Sequence, residues 1–166
     1  IFRALGGSAP DMAHTPLLIG ADGASLSKRL GSLSMDTLRE RHIEPMAILS
    51  LLSKIGTSDN VEARSDVDVL VSEFGFDKIG RSPARFDEAD LISLNAALVH
   101  EMDFAAAKER LAKIDDKAAD EDFWLLVRQN CETVESAAEF LPVVFGEIDP
   151  VIEAEDADFI AVAGRV

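Results

Sequence analysis

Residues 21–34, ADGASLSKRLGSLS, are of the types that handle phosphate groups. Lys28 and Arg29 are adjacent cations, and the serines and glycines around them offer hydroxyl and backbone N–H donors. A lysine ammonium is a compact charge on a long stem, which suits it to follow charge that moves during phosphoryl chemistry. A glycine-flanked loop can also close when a nucleotide arrives. This composition favours nucleotide binding, and the alternative is a surface loop without function.

The same residues partly match the motifs of penicillin-binding enzymes. Ser25 and Lys28 have the S-x-x-K spacing, and residues 58–60 read S-D-N, but the third motif, K-T-G, is absent. That chemistry also needs the serine to begin a long helix, so that the lysine one turn later points back at its hydroxyl. Gly31 follows within a turn, which argues against such a helix. The chain also lacks G-x-x-x-x-G-K-[ST], so the loop is not a Walker phosphate loop.

Composition and charge restrict where such a loop can act. The 166 residues suffice for one domain or two small ones, and the net charge of −15 argues against nucleic-acid binding by bulk charge. Residues 1–56 have six cations and five anions, so a phosphate-binding surface is expected in the first third of the chain. No apolar run approaches the roughly 20 residues that a membrane span needs. Cys131 is the only cysteine, which excludes a disulfide framework and a cysteine-based zinc site and is typical of the reducing cytoplasm.

The segments next to the loop predict a short strand followed by helices. HTPLLIG is typical of a strand that ends at Gly20. Ser34 is a candidate N-cap for a short helix through about Arg41. Pro45 suits the first position of the next helix, which Gly56 is expected to end. This second helix is predicted to be well buried through a stripe of Ile48, Leu51, Leu52 and Ile55.

Later segments predict further helices and a core. Ser65 and Asp68 resemble a capping box, and Asp87 and Asp103 are expected to cap two more helices. DKIGRSPARFD is predicted to be a loop because it is rich in turn-forming residues. Core positions are predicted for Phe123, Trp124 and Cys131. The fold class is therefore mainly α with a small β element.

HTPLLIGADGASLSKRLGSLS resembles the KMSKS region of class I aminoacyl-tRNA synthetases. It is most similar to that of bacterial glutamyl-tRNA synthetases, in which His-x-Pro-Leu-Leu leads to a Leu-Ser-Lys-Arg loop. The resemblance continues in order along the chain. SMDTLRERHIEPMAILSLLSKIGTS resembles the helical stem-contact region, ARFDEADLISLNAALVH the helix after it, and ETVESAAEFLPVVFG a helix of the first anticodon-binding subdomain.

This resemblance implies a domain organisation. Residues 1–22 would be the end of a Rossmann-type catalytic domain, and residues 23–102 the KMSKS loop with the stem-contact helical domain. Residues 103–166 would be a truncated first anticodon-binding subdomain. The family's other ATP motif, His-Ile-Gly-His, is absent from this sequence. The chain is therefore expected to be a piece of the enzyme that is inactive alone.

The resemblance also implies a reaction and its residues. The family activates glutamate with ATP and transfers it to tRNA(Glu), so the expected partners are ATP with Mg²⁺ as its counter-ion, glutamate and tRNA(Glu). Lys28 would be catalytic and would stabilise the pyrophosphate leaving group. ATP would be bound by Ser25, Leu26, Ser27, Lys28 and Arg29. The sequence departs from the five-residue motif at both ends, with Ser25 in place of lysine and Arg29 in place of serine.

Several further residues follow from this interpretation. His14, close to the loop in sequence, is a candidate nucleotide contact or a structural residue. His42 and His100 have no partners at metal-ligand spacing, so no metal site is predicted. The enzyme is expected to be a cytoplasmic monomer that does not bind membranes. Candidate tRNA phosphate contacts are Arg39, Arg41, Arg81 and Arg85, for each of which a solvated surface arginine is the alternative.

Two other functions remain open from the sequence. One is a non-catalytic acidic helical module that binds RNA or protein and has an incidental Lys-Arg loop. The other is a related enzyme that glutamylates a modified tRNA base. Such an enzyme should lack an anticodon-binding part, so the predicted helices after about Met102 argue against it.

Overall fold

The computed structural model describes residues 2–8, 10–24 and 34–147. Within these residues, α-helices dominate and two short strands form one small sheet. The helices are α1 Met35–Glu40, α2 Pro45–Lys54, α3 Val67–Glu73, α4 Glu88–Glu101, α5 Phe104–Ile114, α6 Glu121–Val127 and α7 Leu141–Phe145. The strands are β1 Leu18–Gly20 and β2 Ala84–Phe86, and 3-10 turns cover Arg3–Leu5, Phe76–Lys78, Arg128–Asn130 and Glu135–Phe140. The predicted mainly α fold with a small β element is confirmed.

Side-chain caps begin several helices, because the first N–H groups of a helix have no partner within it. The predicted caps Ser34, Asp87 and Asp103 each accept a hydrogen bond from a backbone N–H two or three residues later. The predicted capping box at Ser65 is wrong. Asp66 begins α3 instead, because its carboxylate accepts from the Asp68 N–H at 2.9 Å.

The two strands pair in parallel, with Leu18 opposite Ala84 and Gly20 opposite Phe86. Strand β2 lies in the segment that the sequence predicts to be a loop, so that prediction is wrong for these three residues. A strand of three residues is too short to show the alternation of apolar and polar residues that identifies strands. Because the pairing is parallel, both strands end at the same edge of the sheet.

The core consists of two apolar clusters. The first cluster contains Leu38 of α1, Ala47 and Leu51 of α2, and Leu91 and Leu94 of α4. Helix α2 is less buried than predicted, since Leu52 of the predicted stripe is 47% exposed. Its buried face instead includes Ser50 and Lys54 beside the apolar residues. The sequence stripe therefore overestimates how much of α2 the neighbouring helices cover.

The second cluster lies towards the end of the described chain. It contains Val99, Ala107, Leu111, Ala118, Phe123, Trp124, Val127, Cys131, Val134 and Ala137. Trp124 is fully buried and its Nε1–H donates to the Met102 carbonyl at 3.0 Å. Burial raises the pKa of the Cys131 thiol, which donates to the Val127 carbonyl. The predicted core positions of Phe123, Trp124 and Cys131 are confirmed. Among the described residues, no helix is long and apolar enough to cross a membrane.

Candidate functional site

Five residues make up the predicted nucleotide-binding site, and all of them lie outside the described residues. They are Ser25, Leu26, Ser27, Lys28 and Arg29. The structure does describe the two segments that lead into and out of this loop. One is the end of β1 with the turn that follows it, and the other is the start of α1.

A tight turn follows β1 and leads to the loop. The Gly23 N–H donates to the Gly20 carbonyl at 2.8 Å, and the Gly20 N–H donates to the Ala24 carbonyl at 2.8 Å. The Ala24 N–H donates to Asp22 Oδ1 at 3.1 Å. Gly23 has a φ of +77°, in the left-handed region that favours glycine. These bonds fix Ala24 beside the end of β1.

The other end of the loop is attached to the first cluster through α1. The Ser34 hydroxyl accepts from the Thr37 N–H at 3.1 Å and lies 2.9 Å from the Thr37 hydroxyl. One turn later Leu38 is buried in the first cluster. A serine cap of this kind contributes about 1 kcal/mol to a helix. Ser34 thus fixes the point at which the chain leaves the loop.

Close packing at Gly56 attaches the strand pair to the helices. Gly56 has a φ of +78°, and a Cβ there would lie 2.6 Å from Pro16 Cγ and 3.0 Å from Ala84 Cβ. Pro16 precedes β1 and Ala84 begins β2, so the turn after α2 packs against the segment that leads into β1 and against the start of β2. Because β1 pairs with β2 in parallel and ends at Gly20, the chain enters the loop from the carboxyl edge of the strand pair. In parallel α/β sheets this edge is where ligands bind.

The four candidate phosphate-binding arginines differ in how they are paired. Arg39 Nη1 lies 2.7 Å from Asp36 Oδ1, and Arg41 forms an ion pair with Glu88. Arg81 and Arg85 are exposed, and their side chains make no hydrogen bond or ion pair in the part of the chain that the structure describes. Arg85 lies on β2 opposite Ile19. Arg81 and Arg85 are thus the two members of the set that can bind an anion without breaking an existing pair.

His14 and Arg81 line one groove with a cavity volume of about 720 Å³. Asp11, Phe76 and Ile79 also line it. His14 is exposed and has no hydrogen-bond partner among the described residues. His14 and the unpaired Arg81 therefore line the same groove. The same described residues contain no cluster of three or more His, Cys, Asp or Glu that could hold a metal ion.

A cluster of ion pairs that the sequence does not indicate lies between α2 and α3. Lys54 is 7% exposed, and its Nζ lies 3.0 Å from both Asp59 Oδ2 and Glu73 Oε2. Arg64 and Lys78 add further contacts to these carboxylates. The hydrogen bonds with Glu73 and then Asp59 raise the pKa of Lys54. In turn Lys78 and Lys54 lower the pKa of Asp59, and Lys54 and Arg64 lower that of Glu73.

Known proteins resemble this chain over nearly all of its length, although no protein-family model matches it. It is 60% identical over 161 residues to glutamate–tRNA ligase 2 of Hyphomonas neptunium, which takes in 97% of this chain and 36% of that protein. It is 46% identical over 166 residues to glutamate–tRNA ligase 2 of Sphingopyxis alaskensis, and this match covers 99% of this chain and 37% of that protein. The chain is homologous to one part of the glutamate–tRNA ligases. It spans a little over a third of the length of these curated relatives.

Solved structures of glutamate–tRNA ligases have the same fold. The chain superposes on the enzyme from Elizabethkingia meningosepticum with a TM-score of 0.74 over 99% of this chain and 39% of that one. For the enzyme from Elizabethkingia anophelis the TM-score is 0.72 over 95% and 37%. Both are 20% identical to this chain, so the likeness is one of fold. The sequence identities confirm the resemblance to the glutamyl-tRNA synthetase family, and a non-catalytic module unrelated to it is not favoured.

Proposed function

We propose that this chain is the part of a glutamate–tRNA ligase that carries the pyrophosphate-facing loop and two tRNA-contacting helical regions. The observation that carries this proposal is the 60% identity over 161 residues to a protein named glutamate–tRNA ligase. The whole enzyme would activate glutamate with ATP, release pyrophosphate, and transfer glutamate to the 3′ end of tRNA(Glu). It would act as a cytoplasmic monomer.

Lys28 is the catalytic residue of this proposal. In the activation step an oxygen of the glutamate carboxylate forms a bond to the α-phosphorus of ATP, while the bond from that phosphorus to pyrophosphate breaks. Negative charge builds on the leaving oxygen, and the Lys28 ammonium stabilises it. Single groups of this kind contribute on the order of 10²–10³ in rate. Mg²⁺ accompanies ATP as its counter-ion.

The other loop residues hold ATP in this proposal. Arg29 adds a second cation beside Lys28, and the Ser25 and Ser27 hydroxyls donate hydrogen bonds. Leu26 anchors the loop against apolar residues. What supports the assignment is the position of the flanks, because Ala24 and Ser34 are both fixed and the loop leaves from the carboxyl edge of the strand pair. Substrates of parallel α/β enzymes bind at that edge.

The helical part would bind tRNA. Residues 1–22 would end the catalytic domain, residues 23–102 would form the loop and stem-contact region, and residues 103–166 would begin the anticodon-binding region. The two apolar clusters support a division of this kind, since one lies before and the other after the middle of α4. Arg81 and Arg85 are the best placed phosphate contacts because they are exposed and unpaired within residues 2–8, 10–24 and 34–147.

The experiment compares Lys28→Ala with Lys113→Ala in the longer ligase that contains this chain. Lys113 is an exposed lysine on α5, far in sequence from the loop, and is the matched control. We expect Lys28→Ala to lower the rate of glutamate-dependent ATP–pyrophosphate exchange, measured with tRNA present, by about 10²–10³-fold. The dissociation constant for glutamate should stay within about twofold of the wild-type value. An unchanged exchange rate would contradict the assignment.

A further inference from the structure

One helix connects the two apolar clusters. The first half of α4 contributes Leu91 and Leu94 to the first cluster, and its end contributes Val99 to the second. Helix α4 packs against α2 on one side and against the 3-10 turn Arg128–Asn130 on the other. Two residues separate the end of α4 from the start of α5. Helix α4 is thus the element that the two clusters share, and contacts between the clusters away from α4 decide how firmly their relative orientation is held.

Two grooves lie between the clusters beside α4. The larger groove has a cavity volume of about 800 Å³ and is lined from the first cluster's side by Glu44 and Met46, and from the second by Asp103 and Ala106. A smaller groove of about 270 Å³ is lined by Glu44 and Arg110 together with residues of α1 and α2. Glu44 thus borders both grooves, and the contact at Glu44 lies between them.

Arg110 of α5 joins the two sides, because its guanidinium group binds one carboxylate from each. Its Nε and Nη2 donate to the two carboxylate oxygens of Glu135 at 2.9 and 2.7 Å, and its Nη1 donates to Glu44 Oε1. A bidentate arginine–carboxylate pair fixes direction as well as distance. Burial would raise the pKa of Glu135, but the hydrogen bonds and charge of Arg110 outweigh it and lower that pKa. The Arg110 pKa is raised, first by Glu135.

Asn95 makes a second connection through its own amide. Asn95 is fully buried, and its Oδ1 accepts from the Glu44 backbone N–H at 2.6 Å. Its Nδ2 donates to the Glu132 carbonyl at 2.7 Å. One side chain on α4 therefore joins the start of α2 to the segment that precedes the 3-10 turn Glu135–Phe140. A buried amide with both ends satisfied makes the structure around it more rigid.

We propose that Glu44, Asn95, Arg110 and Glu135 form a polar bridge that fixes the orientation of the second cluster relative to the first, and that they are positioning residues for the tRNA-dependent step. The orientation of the clusters follows from the geometry alone. The link to tRNA rests on the proposed function. The tRNA would contact the helices around both clusters at once. Loss of the bridge would therefore let the two parts of the tRNA-binding surface move relative to each other, while the binding of ATP and glutamate stays unchanged.

The first experiment measures orientation in this chain and needs no activity. Spin labels are attached to cysteines introduced by Leu52→Cys on α2 and Leu125→Cys on α6, both exposed positions, while the buried Cys131 stays unlabelled. We expect Glu44→Ala and Arg110→Met each to broaden the distance distribution between the labels. Glu40→Ala and Lys113→Met are the matched controls. Both sites are exposed and unpaired in the part of the chain that the structure describes, and both controls should leave the distribution unchanged.

The milder Glu44→Gln keeps an oxygen that accepts from Arg110, so it serves if the alanine variant fails to fold. It should broaden the distribution relative to the wild type, but less than Arg110→Met does. A variant that stays helical by circular dichroism and keeps the wild-type distribution overturns the proposal. Equal broadening by Glu40→Ala also overturns it.

The second experiment tests the link to tRNA in the longer ligase. We expect Glu44→Ala and Arg110→Met to raise the KM for tRNA at least about fivefold, the lower end of typical coupling between sites. The kcat at saturating tRNA and the KM values for ATP and glutamate should stay within about twofold. Equal losses in kcat and KM for all three substrates would indicate a merely structural role and overturn the link. A wild-type ligase without glutamylation activity would overturn the proposed function instead, and the label distances would still decide the orientation.

Discussion

Lys54 Nζ lies 3.0 Å from Glu73 Oε2, although only 7% of the lysine side chain is exposed. Arg64 approaches the other oxygen of the same carboxylate, with its Nε at 3.1 Å and its Nη2 at 3.0 Å from Glu73 Oε1. Glu73 thus joins the end of α2 to the segment before α3. On the other side of Lys54, Asp59 is shared with Lys78. These ion pairs therefore hold α2, α3 and the intervening segment together.

This cluster predicts a loss of stability in acid. The pKa values of Asp59 and Glu73 are lowered from 3.8 and 4.5, so the unfolded chain binds more protons than the folded one at low pH. Their contribution is complete above the unfolded pKa values and is lost as pH falls through the lower folded values. We expect the free energy of unfolding, measured by urea titration, to fall steadily from pH 5 to pH 3.

Glu73→Gln is the variant that tests this assignment. It removes one of the shifted carboxylates, so the variant should be less stable than the wild type at pH 7 and lose less stability between pH 5 and pH 3. Glu109→Gln is the control, because Glu109 is exposed and has no ion pair in residues 2–8, 10–24 and 34–147. An acid slope as steep in Glu73→Gln as in the wild type would contradict the prediction.

Local interactions could be predicted from the sequence, whereas long-range polar contacts could not. Ser34, Asp87 and Asp103 cap their helices because a short polar side chain reaches an N–H two or three residues later, and that relation is visible in the sequence. The partners Glu44 and Arg110 are 66 residues apart, and nothing local to either indicates the other. Strand β2 was missed for the same reason, since only its pairing with β1 makes it a strand.

The candidate site likewise has features that the sequence predicts and features that only the structure shows. The sequence indicated the loop chemistry and its homology, while the structure adds the fixed flanks at Ala24 and Ser34. The roles of Ser25, Lys28 and Arg29 remain predictions because these residues lie outside the described part of the chain. That Arg81 and Arg85 are unpaired while Arg39 and Arg41 are paired depends on tertiary contacts and could not be predicted.

Gly56→Ala should destabilise the attachment of the strand pair more than its backbone angle alone requires. Placing alanine in the left-handed region costs roughly 1–2 kcal/mol. At Gly56 the new methyl would also lie 2.6 Å from Pro16 Cγ and 3.0 Å from Ala84 Cβ, and overpacking of this kind adds about 1–3 kcal/mol. Gly23→Ala is the matched control, since Gly23 has nearly the same φ, +77°, and nothing within 4 Å of its added Cβ. Equal losses of unfolding free energy in the two variants would show that the contact with Pro16 is unimportant.

The salt dependence of tRNA binding should separate the unpaired arginines from the paired ones, if the proposed function holds. Each phosphate contact contributes about 0.7–0.9 to the slope of log Kd against log salt concentration. In the longer ligase we expect Arg81→Ala and Arg85→Ala each to reduce the slope by about that amount. Arg41→Ala should reduce it less, because Arg41 already pairs with Glu88 and must leave that carboxylate to reach a phosphate. Binding isotherms for tRNA at several salt concentrations measure the slopes. A wild-type slope in both Arg81→Ala and Arg85→Ala would place the tRNA on another surface of the molecule.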